Sequence, residues 1–252
     1  MYRIGFLGTG HIAAPMVRFL ARTGHDITVS DRNAEIAAAL EAGHGVAVAP
    51  NQKVVDGSEV VFLCLRPHLA EEVLQDIRFH PGQRIVSVMA GISLDRLKTL
   101  CAPAGDITIT IPLGFLEQGG CPLPAYPSSD ILDRLFEPEN TVFEVPDERA
   151  LNMHFAICAM VPGLLDLMAT GAEWLGHETG EPEKAEFYTT QLFSGFLAAM
   201  TRKPGALACK RDALATQGTI SLQMTEGLQA GGVHTALTQT LDAIRDRLNG
   251  QS

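Results

Sequence analysis

Short apolar runs alternate with amphipathic stretches over the first 112 residues. YRIGFL, DITVSD, VAVA, EVVFLCL, RIVSVM and DITITI are brief, rich in β-branched residues and apolar at successive positions, as strands covered on both faces require. Between them, Ile12–Arg22, Ala34–Ala42, Ala70–Ile77 and Leu94–Leu100 read as crossover helices, with Ser93 as an N-cap. This β-α-β order predicts an α/β fold: a doubly wound Rossmann sheet with its ligand crevice at the carboxyl ends of the strands.

The segment LGFLEQGGCPLPAYPS, residues 113–128, is broken by proline and glycine and reads as an irregular loop. Thr141–Pro146 reads as the last strand. Beyond Asp147 the pattern becomes almost continuously helical: about 148–177, 182–202, 205–215, 219–230 and 233–248. Two domains are expected, a nucleotide-binding domain over 1–147 and an all-helical one over 148–252.

Composition narrows the function. A formal charge of −10 repels phosphate backbones and anionic lipid, which argues against nucleic-acid or membrane-surface binding. Phe155–Ala172 is apolar enough to suggest a membrane span, but Pro162 and Asp166 interrupt it, so a buried helix is expected. The five cysteines include no Cys-x-x-Cys pair, and no signal peptide precedes the first strand; a cytoplasmic protein with reduced thiols is expected. No His/Cys/Asp set has metal-ligand spacing, so no metal is expected.

Chemistry enters at Gly8-Thr9-Gly10-His11-Ile12-Ala13, a G-x-G-x-x-A run between a strand and an amphipathic helix. Gly8 permits the tight turn, Gly10 lets backbone approach a pyrophosphate, and Ala13 packs helix on strand. His11 and Ile12 begin the helix whose free amides would hold the phosphates. Some twenty residues on, Asp31 suits a ribose 2′-hydroxyl and NAD, whereas Arg32 suits a 2′-phosphate and NADP. Asp31 and Asn33 equally suit strand termination and capping of the next helix.

Three further stretches resemble the pyrroline-5-carboxylate reductase family. NQKVVDGSEVVFLCLRP, Asn51 to Pro67, is similar to a segment in which an asparagine starts a short helix and the next strand ends in a Lys-Pro turn beside the coenzyme; here Arg66 replaces that lysine. IVSVMAGISLDRL, Ile85 to Leu97, is similar to the family's IVS-x-x-AGIS segment. ATQGTISLQMTEGLQAGG, Ala215 to Gly232, resembles its T-S-P-G-G-T-T loop and following helix. The resemblance implies an N-terminal Rossmann domain plus a helical domain that dimerises through its C-terminal helices, NADP or NAD as cofactor and a small-molecule substrate whose C=N or C=O bond is reduced. It adds Asn51, Leu65, Arg66, Pro67, Ala90, Gly91 and Pro112 to the expected coenzyme contacts. Ser221 falls at the family's substrate hydroxyl, with Thr219 and Thr216 nearby.

Two stretches depart from the family. Its R-x-M-P-N-T is here Ile109-Thr110-Ile111-Pro112-Leu113-Gly114, and its G-S-G-P-A-Y is Ala159-Met160-Val161-Pro162-Gly163-Leu164. The lost donors imply a substrate half rebuilt for something less polar or larger than an amino-acid-like carboxylate. A β-hydroxyacid dehydrogenase is the enzymatic alternative, but it uses a lysine in the long inter-domain helix and the lysines here are 53, 98, 184, 203 and 210. A dinucleotide-binding sensor without catalysis is the other. Asp166, Glu173 and His177 share one helix face and suit either an acid/base cluster or a solvated edge.

Overall fold

The computed structural model describes residues 1–250. The chain forms two compact units. Met1–Phe155, with the segment from Asp246 onward, makes one, and Ala156–Arg245 makes the other.

The first unit is built on one eight-stranded sheet in the order β3-β2-β1-β4-β5-β6-β7-β8. The strands are β1 Arg3–Leu7, β2 Asp26–Ser30, β3 Ala47–Ala49, β4 Val60–Leu63, β5 Arg84–Ser87, β6 Asp106–Thr110, β7 Pro122–Tyr126 and β8 Thr141–Glu144. The first six pair in parallel, β7 runs antiparallel to β6, and β8 is parallel to β7. From β1 the chain winds outward to β2 and β3, then crosses to β4 and winds the other way. The reversal between β1 and β4 is the switch point at which an open α/β sheet offers a crevice.

Helices α1 Ala13–Arg22, α2 Ala34–His44, α3 Asn51–Asp56, α4 Pro67–Leu74, α5 Leu94–Leu100 and α6 Asp130–Phe136 follow in chain order. All four residues of β4 are buried, as are Met16, Val17 and Leu20 of α1. Phe6 and Phe62 stack with ring centroids 4.7 Å apart, and Phe136 meets Phe62 edge-on at 6.3 Å. Burial of these rings fixes α1 and α6 on one face of the sheet.

Three local expectations are corrected. Residues 113–128 are not wholly irregular: a 3₁₀ turn spans Gly114–Gln118, and β7 forms despite Pro122 and Pro124. Only Ile109 and Thr110 of β6 pair with β7, so few of its amides are needed for that ladder. Helix α4 begins at Pro67 rather than Ala70, since proline at the first helical position lacks only an amide that would have no partner there. The long helix from 148 divides into α7 Glu148–Cys158 and α8 Met160–Thr179. Pro162 explains the break, because its ring clashes with the carbonyl four residues back, that of Cys158.

The second unit is helical: α8 turns at Gly180 into α9 Pro182–Ala199, followed by α10 Ala206–Leu214, α11 Ile220–Ala230 and α12 Val233–Leu248, whose last turn belongs to the first unit. The α8–α9 seam is made of small residues: Ala172, Gly176, Ala185 and Thr189 are buried, and Gly176 sits against the backbone of Pro182. The expectation that the apolar helix is buried fails within the single chain. Leu165 is 57% exposed, Trp174 65%, Phe187 67% and Ile220 85%. Only the narrow small-residue stripe finds a partner in this chain, so the broader apolar face stays uncovered. By length and composition alone, Glu148–Thr179 would pass for a membrane span.

Candidate active site

The turn between β1 and α1 sits at the switch point. Gly8 has φ +99°, and a Cβ there would lie 2.5 Å from the carbonyl oxygen of Cys64, so only glycine fits. The Gly8 amide donates to the Ser30 hydroxyl at 2.9 Å, and the Cys64 amide donates to the Leu7 carbonyl at 2.9 Å. The turn is thereby held from both flanking strands. Gly10 is different: a Cβ built there meets nothing within 4 Å, which leaves the space in front of the helix open.

The N-terminus of α1 carries no side-chain cap and no acidic residue in its first turn. The first amide to bond back is that of Ala14, to the Gly10 carbonyl at 3.0 Å. The amides before it are the unfilled donors that attract an anion, reinforced by the helix dipole. Ala13 is fully buried and brings α1 close to the sheet, while His11 and Ile12 are exposed at the helix start. Thr9 is 2% exposed and its hydroxyl has no hydrogen-bond partner.

A cleft of about 430 Å³ opens over this turn. The loop after β2 contributes Arg32 and Asn33 to its lining, and the loop after β4 contributes Cys64, Leu65 and Arg66. Of the expected coenzyme residues it brings together Gly8, Gly10, Arg32, Leu65 and Arg66. Asp31 is exposed outside the lining, and Asn33 accepts from the Ile36 amide at 3.3 Å as the cap of α2. Asn51 and Pro67 open α3 and α4 without lining the cleft. Burial pushes the Cys64 thiol well above its ordinary pKa, so at neutral pH it adds no negative charge. Bare Gly10, uncapped amides and two cations fit a dinucleotide with its phosphates at α1.

Ala90 and Gly91 follow β5, and the buried Pro112 follows β6, at the carboxyl ends of the sheet. Gly91 borders a second cleft, about 540 Å³, with Ser93, Glu148 and Asn152. Both carboxylate oxygens of Glu148 accept from the Leu94 amide, and Ser93 accepts from that of Arg96, so the start of α5 is filled by the chain itself. Ser30 and Cys64 are site residues that the sequence reading leaves without a role. The available signal for Ser30 is a small hydroxyl ending the strand next to the glycine turn.

Among the expected hydroxyls of the second unit, Thr219 is the N-cap of α11. Its oxygen accepts from the Leu222 amide at 3.1 Å and donates to the Thr216 carbonyl at 2.7 Å. Thr216 and Ser221 are exposed. Asp166, Glu173 and His177 are also exposed, and His177 approaches Glu178 at 3.3 Å rather than Glu173. Among the described residues no three His, Cys, Asp or Glu side chains are grouped to hold a metal.

The family model described as "NADP oxidoreductase coenzyme F420-dependent" matches residues 3–91. Pyrroline-5-carboxylate reductase 3 of Xenopus laevis is 24% identical over 97% of this chain and 94% of its own length. Pyrroline-5-carboxylate reductase 1 of Bacillus spizizenii is 33% identical over a shorter match, 36% of this chain and 33% of that protein. The solved 1-pyrroline-5-carboxylate reductase of Streptococcus pyogenes superposes with TM-score 0.82 over 99% of this chain and 98% of its own, at 21% identity. A reductive aminase from Aspergillus terreus, solved with NADPH and ethyl-5-oxohexanoate, shares the fold at TM-score 0.62 and 17% identity over 99% and 93%. Placed beside the glycine turn and the sheet order, these matches make the chain similar to pyrroline-5-carboxylate reductases over nearly its whole length, with the fold of the solved ones.

Proposed function

We propose that this protein is an NAD(P)H-dependent reductase of a C=N or C=O bond whose substrate carries no carboxylate for the enzyme to grip. The observation that carries the dinucleotide half is the uncapped start of α1 facing bare Gly10 in a cation-lined cleft. A bound dinucleotide supplies the hydride; the chain supplies binding, orientation and exclusion of water.

On the first unit, the loop after β6 presents Ile111, Pro112, Leu113, Gly114 and Phe115, none with a charged side chain or a side-chain hydrogen-bond donor. A carboxylate moved from water onto such a surface would lose its hydrogen bonds without replacement, at a cost of about 1.5–3 kcal/mol for each bond to the charged group. Neutral or cationic imines escape that cost. Ser221 is the hydroxyl assigned to hold the substrate heteroatom, because Thr219 is already spent on capping α11. Serine is a weak acid, so the proton comes from a water or from an iminium that already carries it.

The working form is a homodimer. The apolar faces of α8, α9 and α11 are uncovered over several helices, and Asp166 and Pro162 within α8 suit a protein partner better than lipid. The free cysteines suit the cytoplasm. The uncharged β6 loop also gives a second reading, a coenzyme-binding sensor without turnover.

The test is oxidation of NADPH and of NADH by the purified protein across cyclic imines with and without a carboxylate. Carboxylate-free imines should react faster than pyrroline-5-carboxylate, and Ser221→Ala should lower kcat roughly tenfold or more through one lost donor. Preference for the carboxylate-bearing imine would overturn the substrate assignment. Tight coenzyme binding with no oxidation across the panel would establish the sensor.

A further inference from the structure

The loop after β5 stands two strands from the glycine turn, about 10 Å at the usual strand spacing. A dinucleotide with its pyrophosphate at α1 and its adenosine toward β2 carries its nicotinamide to this side of the switch point. The loop is fixed at both ends. The Met89 amide donates to the Ser87 hydroxyl at 3.3 Å, and the Leu94 amide donates to the Glu148 carboxylate. Its middle is Gly91, exposed, with φ +76° and no side chain of its own to pack. A glycine in this conformation has the most backbone freedom to lose, so its position depends on outside support. Apart from its neighbours in sequence, one atom lies within 4 Å of where a Gly91 Cβ would stand: a terminal methyl carbon of Leu248, at 3.9 Å.

Leu248 closes α12, and only the last turn of that helix, from Asp246, belongs to the unit that holds the loop. That turn is seated by α7. Glu148 and Asn152 stand four residues apart on one face of α7. Glu148 takes the start of α5, while the side-chain amide of Asn152 donates to Asn249 Oδ1 at 3.1 Å and reaches the Leu248 carbonyl at 3.5 Å. One helix face therefore sets the distance between the loop and the turn behind it. The two border the 540 Å³ cleft together, Gly91 and Ile92 from the loop and Leu248 and Asn249 from the turn, which leaves Leu248 as the point of support.

Resting on the dinucleotide reading above, we infer that the last turn of α12 is a buttress for the Gly91 loop, with Leu248 and Asn152 as positioning residues for the nicotinamide half of the coenzyme. Both act through the height of the loop above β5, and neither is assigned a contact with the coenzyme. A loop fixed in advance spends less binding energy on being ordered, and a small displacement of the ring it carries spoils the geometry of hydride transfer.

The test is equilibrium titration of the whole chain with NADPH and NADH and with their adenine halves, 2′,5′-ADP and 5′-ADP, for the wild type, Leu248→Ala, Asn152→Ala and Leu248→Met. The adenine halves do not extend to the loop after β5, so a loss confined to the whole coenzymes reports on that loop. Leu248→Ala and Asn152→Ala should each weaken the preferred coenzyme about fivefold, the size of one lost half-buried contact, and leave the matching adenine half unchanged. Leu248→Met, which still reaches Gly91, should bind as the wild type does. Circular dichroism checks the fold of each variant, and one that fails it is set aside so that the other decides by the same criteria. Equal losses for coenzyme and adenine half would show a general loosening of the unit and overturn the buttress, as would unchanged coenzyme affinity. Failure of the wild type to bind any of the four compounds would instead remove the dinucleotide reading itself.

Discussion

The amide of Gly8 donates to the hydroxyl of Ser30 at 2.9 Å, fastening the end of β1 to the end of β2 where the glycine turn begins. Ser30 is fully buried and Gly8 half-buried, so the accepting hydroxyl is committed to the turn. It fixes the first glycine by a side chain from the neighbouring strand and leaves the amides beyond it for a ligand. A turn held in this way is organised before the coenzyme arrives, so less of the binding energy is lost in ordering it.

Replacing Ser30 with alanine should leave the half-buried Gly8 amide without its partner, a cost of about 1 kcal/mol. In a chain of this size that corresponds to a fall in Tm of about 2–4 °C per kcal/mol, measurable by calorimetry. Coenzyme affinity should fall as well, because the turn loses its support. An unchanged Tm would show that the bond does not hold the turn.

The two motif glycines should respond differently to alanine. At Gly8 the added methyl meets the Cys64 carbonyl oxygen at 2.5 Å in a left-handed conformation, so Gly8→Ala should destabilise the protein and abolish coenzyme binding. At Gly10 the methyl meets no protein atom, so Gly10→Ala should keep its Tm within error yet weaken NADPH binding by tenfold or more. Thermal denaturation and coenzyme titration of the pair separate folding from ligand contact. Normal coenzyme affinity in Gly10→Ala would mean that the pyrophosphate does not pass over this residue.

The sheet and the glycine turn were legible because parallel strands buried on both faces appear as unbroken apolar runs. Their crossover helices carry ordinary caps such as Asn33 and Ser93, which the structure places as expected. β7 was hidden by Pro122 and Pro124, residues that normally exclude a strand and are tolerated here beside a short ladder. The choice between Asp31 and Arg32 depends on which side chain enters the cleft, and residue spacing cannot express that. The apolar stretch Phe155–Ala172, expected to be buried, is largely uncovered within one chain for a related reason. Apolar periodicity signals burial without saying which chain provides the cover.

If a second copy covers that face, Leu165→Asp should be far more damaging than its exposure within one chain suggests. A surface substitution away from any contact changes stability by about 0.5 kcal/mol or less. A carboxylate forced into an apolar interface should instead dissociate it. Sedimentation should give twice the chain mass for the wild type and a smaller species for Leu165→Asp. Trp174, the single tryptophan and 65% exposed in the isolated chain, should fluoresce at longer wavelength once dissociated. A wild-type protein that sediments at the mass of one chain would rule out the dimer.

Acid sensitivity should begin at a histidine. The Tyr2 amide donates to Nδ1 of His25 at 3.1 Å, which requires that nitrogen to be unprotonated, and the two rings stack at 5.9 Å. Burial lowers the His25 pKa below its ordinary value of 6.5, and the nearby N-terminal charge lowers it further. The unfolded chain therefore takes up a proton near pH 6.5 that the folded chain resists, and stability rises with pH across the interval between the two values. The contribution is complete above pH 6.5 and is lost as pH falls through the folded pKa. Asp56 and Glu59 also have lowered values, but from ordinary ones of 3.8 and 4.5, so their loss comes at more acid pH. Urea midpoints of the wild type should decline between pH 7 and pH 5, while His25→Asn, which can still accept from the Tyr2 amide, should decline less. Parallel curves for the two proteins would show that the Tyr2–His25 contact does not set the acid limit of the fold.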